Sequence, residues 1–147
     1  MFLYGHFETG TSHDATYKNH PDVHLLHLAV WDKNGTLPWQ NKYFALFNGR
    51  TSSDTRPSID IADFIQRNFK PQDFVVVKMD IEGSEYRVVP HLINSKAAHL
   101  VDEIFVECHT ERNSCCRPPN DKGRHWEDAR RLVHDLRTAG IYAHMWS

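Results

Sequence analysis

Apolar residues along the chain fall into short runs that alternate with stretches of helical spacing. Phe2 to Phe7 reads as a short strand, and Thr11 to Asn19 as a helix that Pro21 would stop. Val23 to Trp31 (VHLLHLAVW) is almost continuously apolar, the pattern of a strand buried on both faces of a parallel sheet. Asp32-Lys33-Asn34-Gly35 supplies a turn, because Asn and Gly adopt positive φ at little cost. An irregular strand is predicted over 36–47, followed by a polar, turn-rich stretch over 48–57.

Asp60 can cap a helix in which Ile61, Phe64, Ile65 and Phe69 share one side. Asp73 to Asp80 (DFVVVKMD) is the clearest strand, and Gly83-Ser84 ends it and opens a helix bearing Val88, Val89, Leu92 and Ile93. Pro90 lies within that helix and predicts a short first turn and a kink. Glu103 to Cys108 (EIFVEC) reads as a second buried strand. A helix from His125 to Ala139 follows, with Trp126, Ala129, Leu132, Val133 and Leu136 in one stripe and Gly140 as its cap. Ile141 to Trp146 closes the chain as a strand. Strands alternating with helices predict an α/β fold on a parallel sheet.

The length of 147 residues suits one domain spanning 1–147, and a 40% hydrophobic content can furnish one core. A net charge of −2 leaves no electrostatic footprint for a phosphate backbone, which argues against nucleic acid as a partner. No apolar run reaches the ~18 residues of a membrane span. Three cysteines, Cys108, Cys115 and Cys116, make no disulfide framework and favour a reducing compartment. With His109 they could form a zinc site, but free thiols in a strand and a loop are the simpler account.

In parallel α/β sheets, ligands bind beyond the carboxyl ends of the strands. That edge receives Asp80, Glu82 and Gly83 from one strand, and Glu107 and His109 from another. Residues two apart share a strand face, so Glu107 pairs with His109 and Lys78 with Asp80. If the strands are neighbours, Asp80, Glu107 and His109 converge. Two carboxylates and an imidazole suit a divalent cation such as Mg²⁺, or a general base held by its partners. Each residue also has a plainer role: Asp80 or Glu82 as a helix cap, Lys78 as its counter-charge, His109 as a loop histidine bonded to backbone.

The stretch Asp73 to Tyr86, DFVVVKMDIEGSEY, resembles the signature segment of the FkbM family of methyltransferases, in which a hydrophobic strand runs into K-x-D-x-E-G-x-E. The order of the surrounding pieces is similar too: a strand leading to Phe7-Glu8, LAVWDKNG at 28–35, SIDIADFI at 58–65, and a later strand ending in Glu107-x-His109. The resemblance implies a Rossmann-like class I sheet with helices on both faces, using S-adenosyl-L-methionine to methylate a hydroxyl of a sugar or other small molecule. By position it assigns Glu8 to the ribose hydroxyls, Ala29 and Val30 to the adenine, and Asp80 to the neighbourhood of the methyl donor. Glu82 and Glu85 match further acidic positions of the motif. The catalytic and metal-binding trio Asp80, Glu107 and His109 follows from their convergence, not from the resemblance.

The family's first strand and glycine-rich loop would precede Phe2, so the fold is expected to be incomplete at the N-terminus and the chain alone to hold the cofactor weakly. In the spatial order 3-2-1-4-5, Phe2–Phe7 and Phe74–Asp80 would flank the missing strand. They would then pair with each other or with another chain, a route to self-association. Two further readings stay open: a non-catalytic binding module that retains the methyltransferase shell, and a metal-dependent hydrolase using Asp80, Glu82, Glu107 and His109. Trp39, Tyr43 and Trp146 are candidates for stacking on a sugar, or for ordinary packing.

Overall fold

The computed structural model describes residues 2–5, 21, 24, 26, 28–38, 55–110 and 124–146. Its elements follow in the order β1 (Phe2–Gly5), β2 (Ala29–Trp31), β3 (Gly35–Pro38), β4 (Thr55–Asp60), α1 (Ile61–Asn68), β5 (Val76–Met79), α2 (Glu85–Asn94), a 3-10 turn (Ala98–Leu100), β6 (Glu103–Glu107), α3 (Trp126–Thr138) and β7 (Tyr142–Trp146). The candidate helix at Thr11–Asn19, the far part of the 36–47 strand, and Glu8, Trp39, Tyr43, Cys115 and Cys116 lie outside the described residues.

The strands make two sheets. The larger is wholly parallel in the order β1-β5-β6-β7; the smaller has the order β2-β4-β3, with β2 parallel and β3 antiparallel to β4. The protein is thus a mixed α/β domain. Phe2 pairs with Val76 and Gly5 with Met79, so the two strands expected to flank a missing neighbour are bonded directly to each other.

The period-2 alternation of the larger sheet sends Val77, Met79, Ile104, Val106 and Ala143 into one core. Ile61 and Ile65 of α1, Val88, Val89 and Leu92 of α2, and Leu132, Val133 and Leu136 of α3 close over that face. The opposite face carries Lys78, Phe105, His144 and Trp146 and is only partly buried. The sequence predicts helices on both faces, but all three helices among the described residues pack on one. The β5-α2-β6 and β6-α3-β7 crossovers step the same way across the sheet, and a shared hand puts α2 and α3 on the same side.

Several local expectations change. Among the described residues of the 23–31 run, only Ala29–Trp31 is strand. Leu26 is 56% exposed and Leu28 also reaches solvent, because β2 is a short strand whose described partner is β4 alone. Thr55–Asp60, whose first three residues fall in the stretch read from sequence as turn-rich, is instead the central strand of the smaller sheet. Trp126 opens α3 at 51% exposure and does not join its buried stripe.

Other signals act as written. Asp60 caps α1, accepting from the N–H groups of Ala62 at 2.8 Å and Asp63 at 3.2 Å. Gly140, at φ +90°, closes α3, where the Ile141 N–H reaches back to the Leu136 carbonyl at 3.1 Å. The Asp32–Gly35 turn ties the smaller sheet to the helices: Arg87 donates to Asp32 at 2.6 Å and lies over the Trp31 ring, while Asn34 bridges the Asp60 N–H and the Asp63 carboxylate. No helix among the described residues is long and apolar enough to cross a membrane.

Candidate functional site

The parallel pairing of β5 with β6 places their carboxyl ends side by side, with Met79 opposite Val106. Asp80 follows the last residue of β5, Glu107 is the last residue of β6, and His109 stands two residues on. Asp80, Glu107 and His109 each offer one ligand atom, and these atoms lie within 4.8 Å of one another. The juxtaposition inferred from strand-end position and face is present.

Four carboxylates surround the one imidazole. His109 Nε2 is 3.8 Å from Asp80 Oδ1, 3.6 Å from Glu82 Oε2 and 3.9 Å from Glu107 Oε1. On the other side of the ring, Nδ1 is 3.0 Å from Glu85 Oε1. Glu85 is fully buried, and the same oxygen accepts the Ile81 N–H at 2.8 Å. The Glu85 oxygen accepts from the ring, which puts a proton on Nδ1 and directs Nε2 toward Asp80, Glu82 and Glu107.

The turn between β5 and α2 makes this possible. Glu82 adopts φ +53° and Gly83 φ +91°, so the chain reverses within two residues and α2 begins beneath the strand tip. A left-handed glutamate costs on the order of 1 kcal/mol, and here it brings a carboxylate beside His109. Glu85 then falls in the first turn of α2, where backbone N–H groups favour negative charge.

His109 and Asp80 are buried, Glu107 is half-buried and Glu82 is exposed, so Nε2 lies on the side of the cluster nearest solvent. Burial raises the Glu107 carboxyl above its ordinary value and the negative charge of Asp80 adds to the rise, while His109 opposes it. Burial also pushes the Cys108 thiol up to about 12, aided by Glu85 and Glu107. Cys108 packs against the core and is a neutral thiol at physiological pH.

The other assigned positions are elsewhere. Ala29 and Val30 belong to β2 in the smaller sheet; Ala29 is 2% exposed and Val30 half-buried. Trp146 is opposite Glu107 in the β6–β7 register, and the Lys78 ammonium lies 3.6 Å from its ring centre. A domain-family model matches residues 27–147, which include every residue of this cluster. The chain belongs to the DUF7870 family, described as a domain of unknown function. No curated protein and no solved structure matches this DUF7870 chain.

Sequence reasoning missed one member, the partner of the imidazole. Glu85, Val88, Val89 and Leu92 follow i, i+3, i+4, i+7 spacing, so an acid occupies the buried stripe of α2. A carboxylate at such a position needs a buried donor, and that was the available signal.

Proposed function

We propose that this DUF7870 protein is an S-adenosylmethionine-dependent O-methyltransferase acting on a hydroxyl of a sugar or other small molecule. The observation that carries the reading is the oriented His109 imidazole beside Asp80 at the carboxyl edge of a parallel sheet. The K-x-D-x-E-G-x-E resemblance supplies the reaction class, and a four-stranded parallel sheet with helical crossovers from β5 to β6 and from β6 to β7 supports a Rossmann-like class I fold.

Asp80, at the tip of β5, fits the acidic position that the resemblance puts near the methyl donor. Val30 keeps exposed surface for an adenine, whereas Ala29 offers almost none. When bound, S-adenosylmethionine supplies an electrophilic methyl group on a sulfonium. An acceptor alcohol is a poor nucleophile at neutral pH unless its proton leaves as the oxygen attacks. His109 Nε2 takes that proton, Glu85 steadies the resulting imidazolium through Nδ1, and Asp80 and Glu107 hold the acceptor hydroxyl. Such general-base assistance contributes about 10²–10⁴ in rate.

The test is transfer of radiolabelled methyl from S-adenosylmethionine to a panel of sugars and glycosylated alcohols. Transfer should fall at least 100-fold in His109→Gln at unchanged fold, judged by circular dichroism. No transfer to any hydroxyl, together with no calorimetric binding of S-adenosylmethionine, would overturn the reading in favour of a non-catalytic module.

A further inference from the structure

We propose that Asp80, Glu107 and His109 form a binding site for one first-row divalent cation of the Mn²⁺ class, with Glu85 as the buried residue that orients the histidine ligand. The proposal uses the same residues as the methyltransferase reading, but cation binding itself does not depend on methyl transfer. With a cation on Nε2, His109 is a ligand and no longer a base, and the cation in its place would make the acceptor hydroxyl acidic.

Three observations carry it. The first is spacing. An ion held at about 2.0–2.2 Å by each ligand sets ligand–ligand distances of about 3–3.6 Å. His109 Nε2 stands 3.8 Å from Asp80 Oδ1 and 3.9 Å from Glu107 Oε1, and one ligand atom from each of the three residues lies within 4.8 Å of the others, close enough for side-chain adjustment to close the set on an ion. These separations are too long for direct hydrogen bonds and suit an atom between the groups.

The second is the outer partner. A metal-binding histidine generally gives its other ring N–H to a carboxylate or carbonyl, which fixes the tautomer. Glu85 does this at 3.0 Å from inside the core. Its Oε2 is buried and has no hydrogen-bond partner, so the carboxylate serves the imidazole and the Ile81 N–H through one oxygen only. A hydrophobic core admits such a group at a cost, which a bound cation nearby would offset electrostatically.

The third is the composition of the donor set. Two carboxylates suit a hard cation and the imidazole nitrogen a first-row transition ion; Mn²⁺ meets both, whereas Mg²⁺ and Ca²⁺ prefer all-oxygen shells. Cys108, adjacent to His109 in the chain, packs against the core, so among the described residues the set holds no soft sulfur ligand. Glu82, on the exposed side, lies where it can accept from a cation-bound water or close over the ion.

The experiment titrates the full chain, freed of metal with a chelator, with MnCl₂ alone, following loss of the free Mn²⁺ signal by electron paramagnetic resonance. One ion per chain is expected, and excess millimolar Mg²⁺ should fail to displace it. Asp80→Asn and Glu107→Gln should each weaken binding at least tenfold, and Glu85→Gln by about 10–100-fold, the range for outer partners. Glu103→Gln, at a carboxylate paired with His144 instead, should leave it unchanged.

Asp80→Asn and Glu107→Gln are near-isosteric, so the test stands even if Glu85→Gln does not fold. Absence of Mn²⁺ binding at millimolar concentration, unchanged binding in Asp80→Asn and Glu107→Gln, or displacement by Mg²⁺ would each overturn the proposal. Methyl transfer that persists in chelator without Mn²⁺ binding would overturn the cation and leave the methyltransferase reading intact. Tight Mn²⁺ binding without methyl transfer would do the reverse.

Discussion

Glu85 and His109, one in the first turn of α2 and the other just beyond β6, share a buried contact of 3.0 Å between Oε1 and Nδ1. Because the same oxygen takes the Ile81 N–H, a single carboxylate fastens the strand tip, the helix start and the imidazole together. Glu85→Ala strands two buried donors, each costing about 1–3 kcal/mol, and should lower stability by about 2–6 kcal/mol. Glu85→Gln keeps an acceptor oxygen and should lose about 1 kcal/mol. Urea denaturation with an unchanged slope checks both. A loss below 1 kcal/mol for the alanine variant would show that the contact does not hold the site together.

Asp60 joins the smaller sheet to two helices, capping α1 and accepting from His91 Nε2 at 2.8 Å. Burial alone would raise its carboxyl, but the hydrogen bond from His91 and those from the Asp63 and Ala62 N–H groups outweigh it and hold the value low. A lowered acid contributes stability above its ordinary value of 3.8 and loses it as pH falls through the lower folded value. Asp60→Ala should therefore cost about 1–2 kcal/mol at neutral pH, the upper range for a lost cap. The gap from the native protein should be full at pH 7 and 5 and shrink near pH 3. A gap that stays constant to pH 3 would contradict this assignment.

The legible and illegible parts of the chain divide on physical lines. Alternation in VVVKMD and EIFVE located β5 and β6, and the carboxyl-edge rule then brought Asp80, Glu107 and His109 together before any coordinates. Local pattern could not show which strands lack neighbours. An apolar run reads alike whether its partners exist or not, which is why Leu26 and Leu28 were misjudged as buried. Composition read 48–57 as turn, yet β4 runs through Pro57, with a parallel and an antiparallel neighbour pairing the residues around it. Glu85 remained hidden as the histidine's partner because its contact spans 24 residues of sequence.

Pro90 sits on the exposed side of α2 and offers no N–H to the preceding turn. Proline trails alanine by about 3 kcal/mol inside a helix, while its stiffening of the unfolded chain returns about 0.4–1 kcal/mol. The helix term wins. Pro90→Ala should stabilise the protein by about 2–2.6 kcal/mol and raise Tm by roughly 6–8 °C. Calorimetry showing no gain would mean that α2 has already relaxed around the ring.

Glu107 gives the converse case, a residue whose charge opposes folding. Its carboxyl is raised by burial first and by the charge of Asp80 next. For a raised acid the favourable contribution is fully present below the ordinary value of 4.5 and is lost as pH climbs through the higher folded value. In chelator, Glu107→Gln should therefore be more stable than the native chain at pH 7, and the advantage should fade toward pH 4. The group stays partly in water, which limits the gain to a fraction of a kcal/mol. Added Mn²⁺ should reverse the ranking, because the native chain gains binding energy that the glutamine variant largely forgoes. Thermal unfolding of both proteins at pH 4 and 7, with and without Mn²⁺, reads the whole pattern. A glutamine variant less stable than the native chain in chelator would show that Glu107 is held by a favourable partner and not set against Asp80.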